Sequence, residues 1–353
     1  MVYFDWGPDQ FVVWLNQASA SRELVGGKAA SLSRLASLDA PAPAAFALTI
    51  HAYREFASLH GFPRCASDVA FGDLSRLRAG ILSAPLPEPV AASLIYGYQV
   101  FAAQLGTDLA LAVRSSGTAE DSSAFSFAGL HDTVLDVRTL PGLEAAVKQC
   151  WASLWSERAV SYRFENGLAA DISDIAVVVQ QLVRCDVSFV VFTVDPVNPG
   201  NDHVVVNATW GLGEAIVSGL VAPDHITIDA DGQVRQYIVG DKHLMIIPGD
   251  RADAGTREAS VPRALRSLPA LTHGQAREVA RIARDLAGQL GFEADLEGGI
   301  ADGKVHLFQA RPITTLGNMP VAIRPPSAFP MRDPDSFASA SGVLAPTQIV
   351  SME

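Results

Sequence analysis

The pattern of apolar and polar positions divides the chain into a helical front and a strand-rich rear. Residues 21–60 read as a helix, a turn and a second helix, with Gly26-Gly27 opening the first and Ala-Pro-Ala-Pro at 40–43 separating the two. Residues 87–104 predict another helix. Leu111-Ala112-Val113-Arg114 reads as a short strand running into a polar loop over 115–126. Residues 143–166 are amphipathic, with Trp151 and Trp155 four residues apart on one helical face.

From about residue 175 the period changes. IAVVVQQLV, SFVVFTVD and HVVVNATW are valine-rich runs bounded by turn signals such as Asp195-Pro196 and Pro199-Gly200, and they predict strands. A helical stretch at 272–290 leads into two strands, 293–300 and 304–311. Residues 317–346 carry repeated prolines without periodicity, as a linker or an arm lying on a partner does. No internal repeat is visible. This order predicts an α+β protein of two lobes with a cleft between them. The expected division is a first lobe over 1–170, a second over 171–315 and a tail over 316–353.

Composition narrows the class. With 353 residues, 49% of them hydrophobic, the chain can bury one or two sizeable cores. No apolar run approaches the roughly 20 residues of a membrane helix. The start, MVYFDWGPDQF, lacks a basic segment ahead of an apolar one, so no secretory signal is expected. Cys65, Cys150 and Cys185 show no CxxC spacing, which argues against disulfides or zinc and for the cytoplasm. A net charge of −12 excludes a general affinity for nucleic acid. It leaves ATP open, because a few local cations hold a triphosphate.

Four segments could carry chemistry. In Val25-Gly26-Gly27-Lys28, glycines ahead of a helix let backbone N–H groups approach an anion and the lysine adds a charge. The spacing is not that of a Walker loop, and a glycine cap beside a surface lysine reads equally well. In AVRSSGTAED, continuing to Thr133, a strand-end arginine precedes a loop of hydroxyls and small residues, suited either to phosphate or simply to solvent. The closing strand pair is the third. With a three-residue turn at Ala301-Asp302-Gly303, residue 300 faces 304, Asp295 lies opposite Gln309, and Glu297 lies opposite Leu307. Asp295, Glu297, Gln309 and Arg311 then share one face, since side chains alternate with period two. Oxygen ligands and an arginine on one face suit a magnesium–phosphate site, or a solvated salt bridge. Trp210-Gly211-Leu212-Gly213-Glu214, the fourth, is a strand end turning into a helix, with Glu214 placed to face the cleft.

Together and in this order, VGGKAASL, PAPAAFALT, AVRSSGTAED, SFAGLHDT, CWASLWSERAVSYR, FTVDP, WGLGEAIVSG, PDH and LFQARP resemble the ATP-binding domain shared by phosphoenolpyruvate synthase, pyruvate phosphate dikinase and rifampin phosphotransferase. The resemblance runs over residues 25–312 and implies an ATP-grasp fold, two lobes clamping a nucleotide. It implies that Lys28 and Arg114 bind phosphate, that Glu297 and Gln309 ligate Mg2+ (or Mn2+), and that Arg311 is a cation at the transferred phosphates. It implies a lid over 115–133, with Ser115, Ser116, Thr118, Ser126, Gly129 and Thr133 at the triphosphate. Gln180, Gln181, Leu182 and Val183 match the segment lining the adenine pocket, and Asp295 and Glu214 match acidic family positions. The implied reaction passes the β,γ-diphosphate of ATP to a histidine and releases AMP. Loss of phosphate leaves phosphohistidine, which phosphorylates an acceptor. His131, within the lid, is expected to be a lid contact rather than the carrier.

Two departures from the family stand out. Ser188-Phe189 replaces the usual small residue and glycine, and Gly298 replaces a common aromatic. No glycine- and serine-rich segment bearing the carrier histidine is found, so that histidine is expected on a separate partner subunit that also holds the acceptor site. The resemblance then extends to a split member of the phenylphosphate synthase kind, with phenol as acceptor. A fragment acting toward pyruvate or an antibiotic, and a non-catalytic ATP sensor, are the alternatives.

Overall fold

A computed structural model of the chain describes residues 11–16, 20–106, 109–118, 132–168, 174–252 and 255–313. The front half runs β1 (Val12–Trp14), α1 (Arg22–Ser37), β2 (Ala45–Leu48), α2 (Ile50–His60), α3 (Leu74–Ser83) and α4 (Glu88–Leu105). It continues with β3 (Leu111–Gly117), β4 (Thr133–Val137), α5 (Leu140–Ser153), α6 (Glu157–Glu165) and β5 (Ile175–Gln181). The rear half begins β6 (Val187–Phe192), β7 (Val204–Trp210), α7 (Glu214–Val217), β8 (Asp224–Ile228) and β9 (Val234–Ile238). It ends β10 (Leu244–Pro248), β11 (Thr256–Ser260), α8 (Arg263–Arg266), α9 (His273–Leu290), β12 (Ala294–Ala301) and β13 (Lys304–Pro312).

The strands form two larger antiparallel sheets, ordered β1-β2-β5-β3-β4 and β13-β12-β6-β7-β8-β9, and a separate hairpin, β10-β11. Period-two alternation assigns the faces of the first sheet. Phe46, Leu48, Val177 and Val179 pack with Leu111, Val113 and the helical residues Tyr53, Phe56, Leu94, Trp151 and Trp155. Ala45, Ala47 and Val178 turn the other way, onto Val25, Ala29, Leu32 and Leu35 of α1. Because helices cover both faces, the 175–179 run is continuously apolar, as a strand buried on two sides is.

α1 is the joint between the sheets. It packs on β2, β3 and β5 and also on β13. The Ser31 hydroxyl donates to Ala310 O and accepts from Ala310 N at 3.2 Å, while Arg34 Nη2 donates to Leu290 O at 3.2 Å. α9, opened by a Thr272/Gln275 capping box, buries Ala276, Val279, Ala280, Ala283 and Leu286 on the same core.

The structure departs from several expectations. α1 starts at Arg22, ahead of the glycines, and Gly26 breaks it with φ 77° and ψ 174°. β3 runs on to Gly117, so Ser115 and Ser116 are strand residues and not loop. The amphipathic 143–166 stretch is two helices, because Ser156 caps α6 by accepting from Ala159 N at 3.2 Å. Trp151 and Trp155 are nonetheless both buried, and Trp155 Nε1 donates to the Tyr53 hydroxyl at 2.8 Å. The expected lobe boundary at 170/171 falls ahead of β5, whose pairing with β2 and β3 puts it in the first sheet. The change of sheet comes between Gln181 and Val187.

Asp224 and Lys242, both fully buried, form a polar knot in the rear half. Asp224 accepts from Gly240 N at 2.9 Å, Ala270 N at 2.6 Å, the Tyr237 hydroxyl at 3.0 Å and Lys242 Nζ. It ties β8, β9 and the entry to α9 to one carboxylate.

The thiols separate by burial. Cys150 is enclosed against Val113 O, and burial holds its thiol far above the ordinary range; burial pushes Cys185 up to about 12. Cys65 is only partly buried. Brief alkylation of the folded chain at neutral pH is expected to label Cys65 and spare the other two, with all three labelled in denaturant. Equal labelling of Cys150 in the native chain would contradict this burial. Among the described residues no helix is long and apolar enough to cross a membrane.

Candidate nucleotide and phosphate site

Arg114 is the one half-buried position in the otherwise buried strand β3. Because β3 runs on to Gly117, Arg114 stands in mid-strand and not at the expected strand end; an arginine held this way must find acceptors, and it finds them on the other sheet. Its Nη1 donates to Phe308 O at 3.1 Å, and Nη2 donates to Gln309 Oε1 at 2.9 Å and Glu297 Oε2 at 3.3 Å. Arg311 approaches the same strip: its Nε donates to Asp295 Oδ2 at 2.8 Å and Nη2 to Glu297 Oε1 at 3.4 Å. Glu297 therefore stands between two guanidinium groups, one from each side of the sheet junction. The side chains are 12–28% exposed, so the charges sit in a medium that screens them less than bulk water does.

The strand pair reaches this face by a route other than the expected one. The turn is two residues, Asp302 (φ 49°) and Gly303 (φ 71°), with Ala301 opposite Lys304. On its own that register would put Glu297 and Gln309 on opposite faces. A bulge corrects it, because Gly298 pairs with Leu307 and Glu297 with Gln309, leaving Phe308 as the extra residue. Asp295 lies opposite Arg311, not Gln309. The four side chains share a face as expected, but as two cross-strand pairs.

Gly298 and Phe189 explain each other. They are register partners on β12 and β6, and a Cβ at Gly298 would lie 2.6 Å from the Phe189 ring and 2.5 Å from His306 O. The aromatic missing at 298 has its counterpart across the strand, next to Glu297. Gly298→Ala is expected to cost about 1–3 kcal/mol by overpacking, read as a lowered urea midpoint. An unchanged midpoint would contradict the packing described.

Lys28 lies at the start of the unbroken part of α1, and its ammonium donates to Ser115 O at 3.1 Å. The serines expected at the triphosphate are placed differently. Ser115 and Ser116 are 1% and 0% exposed; Ser115 Oγ donates to Asp132 O at 3.1 Å, and Ser116 Oγ is engaged by α1. Their hydroxyls hold protein backbone, because β3 continues through them. Thr118 offers its carbonyl to Arg22 Nε at 3.2 Å, and Thr133 is the register partner of Arg114. Ser126, Gly129 and His131 lie outside the described residues.

Gln180 is 2% exposed at the end of β5, and among the described residues its Nε2 has no hydrogen-bond partner. Such a buried donor costs about 1–3 kcal/mol unless something supplies an acceptor. Gln181, Leu182 and Val183, half-buried, form the crossing from the first sheet to the second, and Leu182 packs with Leu212, Ala215 and Ile246. Glu214, expected to face the cleft, is exposed on α7 and accepts from Thr256 Oγ1 at 2.8 Å.

Among the described residues no three His, Cys, Asp or Glu side chains gather as a metal cluster. Glu297 and Gln309 are the opposed pair of hard oxygen donors, the kind of set Mg2+ takes when substrate phosphates complete its shell. Asp295 is engaged by Arg311. Arg22, Asp132 and the Phe308 carbonyl also belong to this neighbourhood, and no sequence period marked them.

The chain matches the family described as the pyruvate phosphate dikinase AMP/ATP-binding domain over residues 22–326. It is 36% identical over 307 residues to a probable phosphoenolpyruvate synthase of Methanothermobacter thermautotrophicus, covering 83% of this chain and 44% of that protein. It is 40% identical over 294 residues to the prodigiosin synthesizing transferase PigC of Serratia marcescens, covering 82% and 32%. To a rifampicin phosphotransferase of a Streptomyces species it is 37% identical over 311 residues, covering 84% and 35%. The chain thus spans less than half the length of these relatives.

Proposed function

The chain belongs to the pyruvate phosphate dikinase AMP/ATP-binding domain family, and from that premise we propose that it is the ATP-grasp module of a cytoplasmic phosphotransferase that passes the β,γ-diphosphate of ATP to a histidine outside residues 22–326. The two sheets are its lobes. The observation that carries the reading is the meeting of Arg114 from the first sheet with Glu297, Gln309 and Arg311 on the second. Cations and oxygen ligands converge there at the joint between two sheets, as a bound polyphosphate requires.

In this reading Lys28 and Arg114 hold the phosphates from one side and Arg311 from the other. Glu297 and Gln309 hold Mg2+, which neutralises phosphate charge when bound. The Gln180 amide and the 181–183 crossing meet the adenine, whose ring nitrogens can supply the acceptor that Nε2 lacks among the described residues. The chain's task is positioning and charge neutralisation rather than covalent chemistry. The histidine takes the diphosphate as AMP leaves, water removes orthophosphate, and phosphohistidine passes its phosphoryl group on. We place that histidine on a partner subunit with the acceptor site, and phenol as the acceptor, as in a phenylphosphate synthase.

The test is a product assay with the chain, MgATP, a histidine-bearing partner encoded beside it, and phenol, pyruvate or rifampicin in turn. AMP and phosphate formed in step with phenylphosphate, only with both proteins present, are the expected result. AMP with phenol untouched would move the acceptor to another class. ATP bound without any AMP would support a sensor and defeat the transferase reading.

A further inference from the structure

In an unbroken helix the Ala29 N–H would donate to the Val25 carbonyl, four residues back. In α1 the Ser116 hydroxyl stands between them, donating to Val25 O at 2.8 Å and accepting from Ala29 N at 3.2 Å. Gly26 flips to φ 77° beside this insertion, and a Cβ there would lie 2.1 Å from Ser116 O, so only glycine fits against the strand. Ser116 is fully buried, and its hydroxyl is committed to the helix ladder. On either side, Lys28 Nζ donates to Ser115 O at 3.1 Å and Arg22 Nε to Thr118 O at 3.2 Å. One side chain splices the turn bearing Lys28 into the strand bearing Arg114.

We propose that Ser116 is a positioning residue that sets Lys28 relative to Arg114, so that both cations meet the same polyphosphate; this rests on the nucleotide-binding reading above. Ser116 itself touches no ligand. The splice gives α1 a fixed seat on β3 where an ordinary helix would have only apolar packing, which leaves the axial position of Lys28 less defined. Removing Oγ takes the shared partner from Val25 C=O and Ala29 N–H, which can then pair with each other only if Gly26 leaves φ 77° for helical values, as a glycine can. The packing of α1 on β2, β3 and β5 and the bond from Arg22 Nε to Thr118 O remain in Ser116→Ala, so the fold is expected to persist while the turn bearing Lys28 loses its fixed seat.

The test is a double-mutant cycle on the full 353-residue chain, by calorimetric titration with MgATP and separately with AMP. Ser116→Ala is expected to weaken MgATP about tenfold, the scale of one well-placed hydrogen bond, and to leave AMP unchanged. In a Lys28→Ala background, Ser116→Ala should cost nothing further, since the effect runs through Lys28. Independent losses that add, or equal weakening of ATP and AMP, would overturn the proposal and assign Ser116 to general stability. If Ser116→Ala does not fold, Ser116→Cys, which keeps a weak donor and acceptor in place, is read in the same cycle against the same two criteria. A wild-type chain that binds no ATP removes the nucleotide reading and this proposal together. A wild-type chain that binds normally isolates the fate of Ser116.

Discussion

Replacing Arg311 by alanine is expected to slow AMP formation by the assembled enzyme by on the order of 10³-fold while the chain stays folded, because an arginine at a transferring phosphoryl group is worth that much. The fold should survive because the Arg311 side chain is 28% exposed and pairs with two carboxylates, Asp295 and Glu297, rather than with apolar core. Lys28→Ala and Glu297→Ala are expected to be equally damaging to turnover, for different reasons. Lys28→Ala removes a cation proposed to hold phosphate. Glu297→Ala removes the carboxylate shared by Arg114 and Arg311, leaving two guanidinium groups with one fewer counter-charge and the proposed Mg2+ site without its charged ligand. Arg114 keeps Gln309 Oε1 and Phe308 O in that variant, so its placement should persist. Circular dichroism and urea midpoints separate folding from catalysis. Normal AMP turnover in any of the three variants would break the residue assignment.

Asp224→Ala is expected to be the most destabilising single change in the rear half, costing about 3–5 kcal/mol as removal of one partner from a buried ion pair does. That is a large part of the 5–15 kcal/mol by which domains are usually stable. The loss goes beyond Coulomb attraction. Lys242, with no exposure, would keep only the Gly240 carbonyl at 3.3 Å among the described residues, the Gly240 and Ala270 N–H groups would lose their acceptor, and the Tyr237 hydroxyl would fall back on Leu271 O at 3.0 Å. Lys242→Met is expected to cost less, because Asp224 keeps three of its four donors. Equilibrium urea unfolding of both variants checks the order. Equal losses, or a loss below about 1 kcal/mol for Asp224→Ala, would show that the knot contributes little beyond what burial of its neighbours supplies.

Part of the strand pair was legible because alternation places Asp295 with Glu297, and Gln309 with Arg311, whatever the turn; that the two sets share one face depends on the turn and the bulge together. The sequence predicts a turn one residue longer than the one found, and the bulge at Phe308 offsets that difference; a bulge has no local signal in KVHLFQARP. The hydroxyls of Ser115 and Ser116 are turn signals and predict loop, whereas burial under α1 and pairing with Val177 and Ala176 of β5 make them strand. β2, four residues long, is too short to display a period, and β9 and β11 are half-exposed strands whose charged residues mask their pairing. Asp224 and Lys242 are 18 positions apart and meet only through tertiary packing. The Phe189 and Gly298 departures were each visible alone, but only the register joined them as one exchange.

The measurement closest to the central claim is a crystal structure of the chain with Mg2+ and the β,γ-imido analogue of ATP. The triphosphate is expected between Lys28, Arg114 and Arg311, with the cation against Glu297 and Gln309 and the adenine at the 180–183 segment. A nucleotide seated elsewhere, or a cation that leaves Glu297 and Gln309 untouched, would contradict it.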